Sequence, residues 1–514
     1  MNNHDYGETW GQIALLFCVL AGVSVAIVFL PILPPLNDYP NHLARMHILA
    51  NLDQSPALQL YYRNVMAAQP NLAMDIIVPL LSRWMPLEMA GRVFIALTLL
   101  VTAAGTLALH FSLHRRWSVW PLLAFLFIYH RMFLWGLLNF SFGIGMALFA
   151  IAVWVAVRPK GAGWRVTASV PCALVVYICH LYAFGFYAIV IGGYELYYLL
   201  KSPQWHARAR DVAIAAIQFL LPIYLFLFES GAPAVASETR WGTIWRKLEA
   251  PFDVIYQYHL VFDVGCLLVI AALIGWGLFR KRVQISRRMV PALIVLLVVY
   301  LAMPDQLFSG YGPDRRLPIM ILLLGIASAD WQHARVWWRE PLVVAFLALF
   351  AVRSVLIAQM WHRSDAVYAE YLQAIDMLPK GTKLLFYTLH AGTQSLSSIP
   401  ELEIGDMAVV RRDAFVPALF TTPPLAAESI SFSPEAQPIA FSTPHNIQLR
   451  PAIERLRNPD YVRRRGLFRQ EVLRNYDYLL IAHPEALPPQ SPIPKGLPVL
   501  FRGKDFVLAK LPRP

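Results

Sequence analysis

Residues 137–165 read LLNFSFGIGMALFAIAVWVAVRPKGAGWR. Residues 137–157 contain no charged side chain, and the basic Arg158, Lys160 and Arg165 follow directly. A helix needs about 20 apolar residues to cross a hydrocarbon core about 30 Å thick. Basic side chains gather at the cytoplasmic ends of such helices. We therefore predict a membrane-spanning helix over 137–157 whose C-terminal end faces the cytoplasm.

The composition of the whole chain points the same way. Of its 514 residues, 57% are hydrophobic and 15% are charged, whereas soluble domains are about 45–50% apolar and about 25% charged. A single water-soluble core cannot absorb this excess, so the sequence predicts a mainly α-helical polytopic membrane protein. The predicted spans, about eleven in number, are 11–31, 89–112, 119–132, 137–157, 166–182, 184–200, 211–228, 259–279, 289–303, 317–329 and 341–359.

Loop charges give the orientation of these helices. With the N-terminus inside, the predicted cytoplasmic connections are all basic, as the positive-inside rule requires. These basic connections account for much of the net charge of +12. A nucleic-acid-binding face is not needed to explain it, because the basic residues of such a face would not be confined to alternate loops. The basic residues of these connections are Arg115, Arg116, Arg158, Lys160, Arg165, Lys201, Arg208, Arg210, Arg280, Lys281, Arg282, Arg287, Arg288, Arg335 and Arg339.

The segment 71–86, NLAMDIIVPLLSRWMP, is apolar enough to suggest a further span. It is short, carries Asp75 and Arg83, and contains Pro79, which disfavours an uninterrupted helix. A crossing here would place every later basic loop outside. We therefore predict an interfacial or re-entrant helix, and we assign residues 32–88 to one long outside loop of a transmembrane domain that covers 1–359.

The composition changes at residue 360. Residues 360–514 lack long apolar runs and gain proline, charged residues and short β-rich pieces. An odd number of crossings from an inside start leaves this stretch outside, and its length suits one domain. We predict a small extracytoplasmic α/β domain that begins with a helix near 363–377. Its predicted strands are 383–387, 478–481 and a β-rich stretch over 499–511.

Common catalytic signatures and a disulfide framework are missing from the sequence. The four cysteines, at 18, 172, 179 and 266, all fall inside predicted helices, so no disulfide framework is indicated. We find no Walker loop, nucleotide fingerprint, GxSxG elbow or HExxH helix. ATP-driven chemistry therefore loses support.

The first polar cluster lies directly after the first predicted span. The sequence from 34 to 45, PPLNDYPNHLAR, predicts a helix that starts near Pro40. His42 and Arg45 then share one helix face, and Asp38 precedes the helix. Asp38 is either a helix cap or a general base toward a hydroxyl, with an imidazole and a guanidinium beside it. The apolar side of this helix is expected to lie on the membrane surface.

A second cluster, Asp314, Arg315 and Arg316, precedes the predicted span at 317–329. Arginines in an outside loop run against the positive-inside trend. They either extend toward the interface or bind an anion, such as the phosphate of a lipid-linked donor. His180, between two predicted spans and in a looser third cluster, is either a structural histidine or a substrate-binding residue.

These residues resemble the GT-C superfamily of membrane glycosyltransferases. The resemblance rests on Asp38-x-x-x-His42-x-x-Arg45, on PNLAMDIIVPLL before the second span, on the late loop PDRRLP at 313–318 and on the ending YDYLLI at 476–481. It implies a bacterial cytoplasmic (inner) membrane protein with a periplasmic or extracellular C-terminal domain. It also implies a hexosyl- or pentosyltransferase that uses a polyprenyl-phosphate-linked sugar.

The same resemblance implies roles for individual residues. Asp38 would be the general base of an inverting transfer to an acceptor hydroxyl. The residues expected to bind substrate are His42, Arg45, His180, Arg315 and Arg316.

Several questions stay open at this point. A single aspartate stands where an acidic pair is common in the family, so metal dependence is undecided, with Mg²⁺ or Mn²⁺ as candidates. The expected partners are the lipid-linked donor, membrane lipids and a glycan, lipid or protein acceptor, but no nucleic acid. The alternatives are a flippase or transporter for lipid-linked sugars and a non-catalytic envelope scaffold.

Overall fold

A computed structural model describes most of the chain. The described residues are 8–202, 204–229, 239–307, 310–331, 341–388, 401–422, 428–443, 469–484 and 496–512. Arg335 and Arg339, the basic residues of the last predicted cytoplasmic connection, lie outside them.

The described residues are mainly helical. The α-helices are α1 Trp10–Phe29, α2 Tyr39–Asn51, α3 Pro56–Tyr61, α4 Ala73–Leu81, α5 Leu87–His114, α6 Arg131–Leu134, α7 Leu138–Val157, α8 Ala162–Cys179, α9 Leu181–Lys201, α10 Trp205–Phe228, α11 Ile244–Glu249, α12 Leu260–Phe279, α13 Val290–Ala302, α14 Pro313–Ser328, α15 Pro341–Asp376, α16 Met407–Arg412, α17 Gln437–Ser442 and α18 Gln470–Leu473. Short 3₁₀ helices cover Trp120–Leu126, Ala250–Val254 and Ile404–Asp406. The strands are β1 Tyr62–Asn64, β2 Val283–Ile285, β3 Gln306–Leu307, β4 Gly310–Tyr311, β5 Ala329–Trp331, β6 Leu384–Thr388, β7 Ile430–Phe432, β8 Tyr478–Ala482, β9 Val499–Arg502 and β10 Phe506–Lys510.

Eight of the helices in the described part of the chain are long and apolar enough to cross a membrane. They are α1, α5, α7, α8, α9, α10, α12 and α15. Each corresponds to a predicted span, which confirms the polytopic class. The helix α15 is longer than the predicted span 341–359. It continues without a break through the region 363–377, where a separate helix was predicted.

The count of eleven spans is not confirmed. Predicted span 119–132 is instead a 3₁₀ helix followed by α6, and 289–303 forms the 13-residue α13. Predicted span 317–329 forms the later part of α14, a helix of 16 residues. At 1.5 Å of rise per residue, α13 is only about 20 Å long, less than the hydrocarbon core.

The chain divides into two compact units. The first, called here the membrane unit, comprises Met1–Phe29, Ala67–Met74 and Val93–Gln359. The second, called here the C-terminal unit, comprises Leu30–Met66, Asp75–Arg92 and Met360–Pro514. Most of the predicted outside loop 32–88 thus belongs to the same unit as the C-terminal region. The predicted division at residues 359 and 360 stays a prediction.

Within the membrane unit, helices α7 to α10 and α13 pack together. Helices α9 and α13 approach closely, since a Cβ at Gly193 would lie 2.4 Å from the Cα of Ala292. No side chain fits into that distance, so glycine is required at this position. Small residues allow membrane helices to pack backbone against backbone, which is how helices associate in lipid.

Within the C-terminal unit, the described strands include a four-stranded sheet of order β6-β8-β10-β9. Strands β6 and β8 are parallel, with Leu384 opposite Tyr478, and the other pairs are antiparallel. All residues of β6, at the edge of this sheet, and of the central strand β8 are buried. The predicted strands at 383–387 and 478–481 are therefore confirmed, and the stretch predicted at 499–511 forms β9 and β10.

Strand β1, from the predicted outside loop, pairs with β7 of the C-terminal region. Tyr62 lies opposite Phe432, and the Tyr62 hydroxyl donates a hydrogen bond to the Ala414 carbonyl at 3.0 Å. The preceding helix α2 is packed equally deeply, and its Leu43 and Met46 are fully buried. The apolar stripe expected on the membrane surface is thus covered by protein.

Candidate functional site

Asp38 stands at the N-cap position of α2, directly before the first helical residue. Its side chain makes no capping hydrogen bond, although capping is the usual role of an aspartate at this position. The residue is only 7% exposed. The capping alternative is therefore not supported, and the helix start does not depend on this carboxyl group.

His42 lies one turn further along α2 and is buried. Its ring packs edge-on against Phe420, with 5.8 Å between the centroids. Asn41, the neighbouring residue, accepts a hydrogen bond from the Phe420 amide at 3.1 Å. Its own side-chain amide donates to Asp406 at 2.8 Å and to the Ala418 carbonyl at 3.2 Å. The first turn of α2 is thus attached to residues 406–420.

Arg45 is fully buried in the same unit. Its guanidinium contacts both carboxylate oxygens of Asp75, at 2.9 and 3.2 Å, and Glu428 at 2.5 Å. Ser429 donates a further hydrogen bond to Asp75. Burial raises the pKa of Glu428 to about 7, and the positive charge of Arg45 acts in the opposite direction. The predicted substrate contact at Arg45 stays a prediction that this arrangement does not favour.

Asp406 and Glu403 are buried carboxyl groups that sequence analysis missed. The negative charge of Asp38 contributes to the raised pKa of Asp406, so the two side chains are close enough to interact. Asp38 therefore has an acidic neighbour, from a segment without any recognisable motif. Among the described residues, no three His, Cys, Asp or Glu side chains are arranged to hold a metal ion.

The neighbouring Arg315 and Arg316 of the membrane unit have different surroundings. Arg315 donates to Asp253 at 2.8 Å and to Glu249 at 3.4 Å. It thereby attaches the segment that contains α11 to the start of α14. Because protein carboxylates occupy its guanidinium, Arg315 does not join Arg316 in a common anion site of the kind expected from the sequence.

Arg316 lies beside His180, with 3.4 Å between the guanidinium and the imidazole Nε2. Its guanidinium also lies 4.7 Å from the centre of the Tyr182 ring and 5.5 Å from that of Phe140. The residue is only 9% exposed. The structure therefore brings together Arg316 and His180, which were predicted from segments far apart in the sequence.

The hydrogen bonding of His180 determines which ring nitrogen carries the proton. Its Nδ1 accepts a hydrogen bond from the Tyr182 backbone amide at 3.1 Å. In a neutral imidazole the proton is then on Nε2, the nitrogen that faces Arg316. With this tautomer Nε2 and the Arg316 guanidinium are both donors, so the 3.4 Å contact between them is not a hydrogen bond. Two adjacent donors suit an anion.

An apolar cavity of about 250 Å³ adjoins these donors. Tyr182 both lines the cavity and packs against Arg316. Leu317, the residue after Arg316, also lines it. Further lining residues are Phe184, Phe186, Phe226 and Met320. Arg316 and His180 do not line the cavity themselves, but both lie beside residues that do, within one unit.

Comparisons with known proteins add a similarity at the level of the whole chain. Two solved structures resemble it. One is the crystal structure of ArnT from Cupriavidus metallidurans bound to undecaprenyl phosphate, with 12% identity, a TM-score of 0.49 and 98% of each chain covered. The other is the cryo-EM structure of the arabinofuranosyltransferase AftD from Mycobacteria, with 14% identity and a TM-score of 0.43.

The AftD match covers 93% of this chain and 37% of the AftD chain. No protein-family model matches the sequence, and no curated protein is significantly similar to it.

Proposed function

We propose that the chain is a membrane glycosyltransferase that uses a polyprenyl-phosphate-linked sugar donor. The observation that carries this proposal is the Arg316–His180 donor pair, whose neighbours Tyr182 and Leu317 line the apolar cavity. A donor lipid has the complementary structure, a phosphate attached to a long apolar chain. The phosphate would accept hydrogen bonds from Arg316 and from the Nε2 of His180. The first part of the chain would fill the cavity.

The acceptor hydroxyl would lose its proton to Asp38. As that oxygen attacks the anomeric carbon, the bond from this carbon to the phosphate oxygen breaks, and the configuration inverts. The lipid phosphate leaves with its negative charge, which Arg316 would stabilise. His42 would bind substrate beside Asp38, whereas we assign Arg45 to positioning, because two carboxylates surround its guanidinium.

A panel of purified lipid-linked sugars would test this function. The protein would be incubated with polyprenyl phosphates and pyrophosphates that carry hexoses or pentoses, together with glycan, lipid and protein acceptors. Each mixture would be assayed for released lipid phosphate, with and without Mg²⁺ or Mn²⁺. Release that requires an acceptor would support transfer. Movement of the lipid between leaflets without release would favour a flippase instead.

The two arginines provide a matched pair of variants. Arg316→Gln should weaken binding of polyprenyl phosphate about 10- to 100-fold, because a hydrogen bond to a charged group contributes about 1.5–3 kcal/mol. Arg315→Gln should change this binding much less, since its guanidinium contacts Asp253 and Glu249. Binding would be measured by titration of the detergent-solubilised protein. Weaker binding in Arg315→Gln alone would contradict the assignment of Arg316.

We further propose that the three shorter apolar segments also cross the membrane. The segments before and after α7 contain Arg115 and Arg116 on one side and Arg158 on the other. A single crossing by α7 would put these basic residues on opposite sides, against the positive-inside rule. A second crossing by Trp120–Leu134 keeps all three arginines inside. Crossings by α13 and α14 likewise keep the basic residues of 280–288 and those at 335 and 339 on the inside.

This topology places the C-terminus in the periplasm or outside the cell. Alkaline phosphatase fused after residue 514 should be active, because that enzyme matures only outside the cytoplasm. The same enzyme fused within 280–288 should be inactive, because this loop is strongly basic. The reverse result for both fusions would overturn the orientation. Inactivity of both would overturn the number of crossings.

A further inference from the structure

Asp406 lies in the C-terminal unit at the end of a short 3₁₀ helix and is completely buried. Its carboxyl group accepts the 2.8 Å hydrogen bond from the Asn41 amide. Asn41 lies in the first turn of α2, three residues after Asp38. Asp406 is therefore attached directly to the turn that follows the proposed general base.

A second carboxyl group, that of Glu403, lies one 3₁₀ turn before Asp406, whose backbone amide donates to the Glu403 carbonyl at 3.1 Å. Side chains three residues apart in such a turn lie one above the other. Glu403 is 1% exposed. An ionised carboxylate can only accept hydrogen bonds, so a bond between two carboxyl groups requires that one of them carries a proton. Two carboxyl groups buried one turn apart are expected to hold a proton between them, because like charges this close cannot both ionise readily.

The surroundings of Asp406 favour its protonated form. Burial raises its pKa to about 7, and the charge of Asp38 raises it as well, whereas the hydrogen bonds from Asn41 and Glu403 oppose this. Tyr62 of β1 also interacts with Asp406. The titratable groups that face Asp406 are therefore Asp38, Glu403 and Tyr62.

We propose that Asp406 is a positioning residue for Asp38, and that it acts as a neutral carboxyl group that shares a proton with Glu403. In this form it holds Asn41, and with it the first turn of α2. Loss of the proton places another negative charge near Asp38 and replaces the carboxyl hydrogen bond with repulsion. Activity should then fall as the pH rises through about 7. The proposal rests on the role of Asp38 in the proposed function.

The same proton affects stability. The folded protein keeps it up to about pH 7, whereas an aspartate in the unfolded chain releases it near pH 4. Its stabilising effect is complete below the unfolded pKa and is lost as the pH rises through the folded pKa. Thermal stability should therefore decrease between about pH 4 and pH 7.

Asp406→Asn tests the proposal, because an amide has the shape of a protonated carboxyl group and cannot ionise. Asp376→Asn is the matched control. Asp376 has an exposed side chain that contacts Arg411 at 3.4 Å and Arg412 at 3.6 Å. The melting temperature and kcat of the full-length protein would be measured from about pH 5 to pH 9. Glu428, whose pKa is also raised to about 7, is present in all three proteins, so its effect cancels.

We expect Asp406→Asn to keep kcat within about threefold of wild type near pH 6, since the amide can still accept from Asn41. Its melting temperature should fall less with pH than that of the wild type, and the decline of kcat should move to higher pH. Asp376→Asn should follow the wild type. A large loss of kcat near pH 6 in Asp406→Asn would show that Asp406 does not act as a neutral group. Unchanged pH profiles would show that it does not share a proton with Glu403.

The two measurements separate this proposal from the proposed function. The melting curves report the buried proton even if no sugar is transferred. Wild-type protein without transfer activity would overturn the function, and with it the positioning role. A normal wild-type rate with unchanged pH profiles in Asp406→Asn would overturn the positioning role alone.

Discussion

Asp38→Asn should lower kcat by about 10²- to 10⁴-fold, the usual contribution of a general base. An amide cannot accept the proton of the acceptor hydroxyl. The fold should survive, because the Asp38 side chain makes no capping hydrogen bond to α2. The measurement is the rate of lipid phosphate release at saturating donor. Binding of polyprenyl phosphate should stay within about threefold of wild type, because the asparagine side chain has the same shape as the aspartate and differs from it only in charge.

Asp53→Asn is the matched control for this substitution. Asp53 is an exposed aspartate shortly after α2, in the same stretch of the C-terminal unit. It should transfer sugar at the wild-type rate. A well-folded Asp38→Asn protein with normal turnover would remove Asp38 from the mechanism. Equal losses in both variants would show that the stretch is sensitive to any charge change.

Arg45→Met should have the largest effect on stability. It removes the cation that lies between Asp75 and Glu428 and leaves two buried carboxyl groups without it. Breaking a buried ion pair typically costs about 3–5 kcal/mol. The loss should be smaller near pH 5 than near pH 8. Without Arg45, the pKa of Glu428 rises further above 7, and the protonated form costs less to bury.

The triple variant Arg45→Met, Asp75→Asn, Glu428→Gln is the control for Arg45→Met. It carries no charge at these positions, so it should recover part of the lost stability. Thermal unfolding of the detergent-solubilised protein would be followed at both pH values. Wild-type stability in Arg45→Met at pH 8 would show that the ion pair contributes nothing. Wild-type stability together with reduced donor binding would instead support the substrate contact predicted from sequence.

Apolar runs and loop charges predicted the long helices well, because each is a local property. The helix α7 begins and ends within a residue of the predicted span 137–157. The predicted span 289–303 is a helix as well, but its 13 residues do not meet the length of a span on their own. Local hydropathy identifies the apolar segment, whereas its depth in the membrane depends on packing.

The candidate site was predictable only in part. The polar residues after the first predicted span made Asp38 a candidate, and the arginines of a loop predicted to lie outside made Arg316 one. Both roles stay predictions. The sequence could not distinguish Arg316 from Arg315, since both occur in the same motif. Arg315 is held by Asp253 and Glu249, which come from a segment about 60 positions earlier, whereas Arg316 lies beside His180 and Tyr182.

The sequence by itself determined the class of the protein, since about 20 apolar residues in a row can be accommodated only by a span or a buried helix. It also determined where chemistry was to be sought. Only the tertiary structure decided which groups surround Asp38 and Arg45. Asn41 meets Asp406 across 365 positions of the chain, and Arg45 meets Glu428 across 383. These contacts join α2 to short segments far along the chain, and no periodic pattern in the sequence records which residues will be neighbours over that distance.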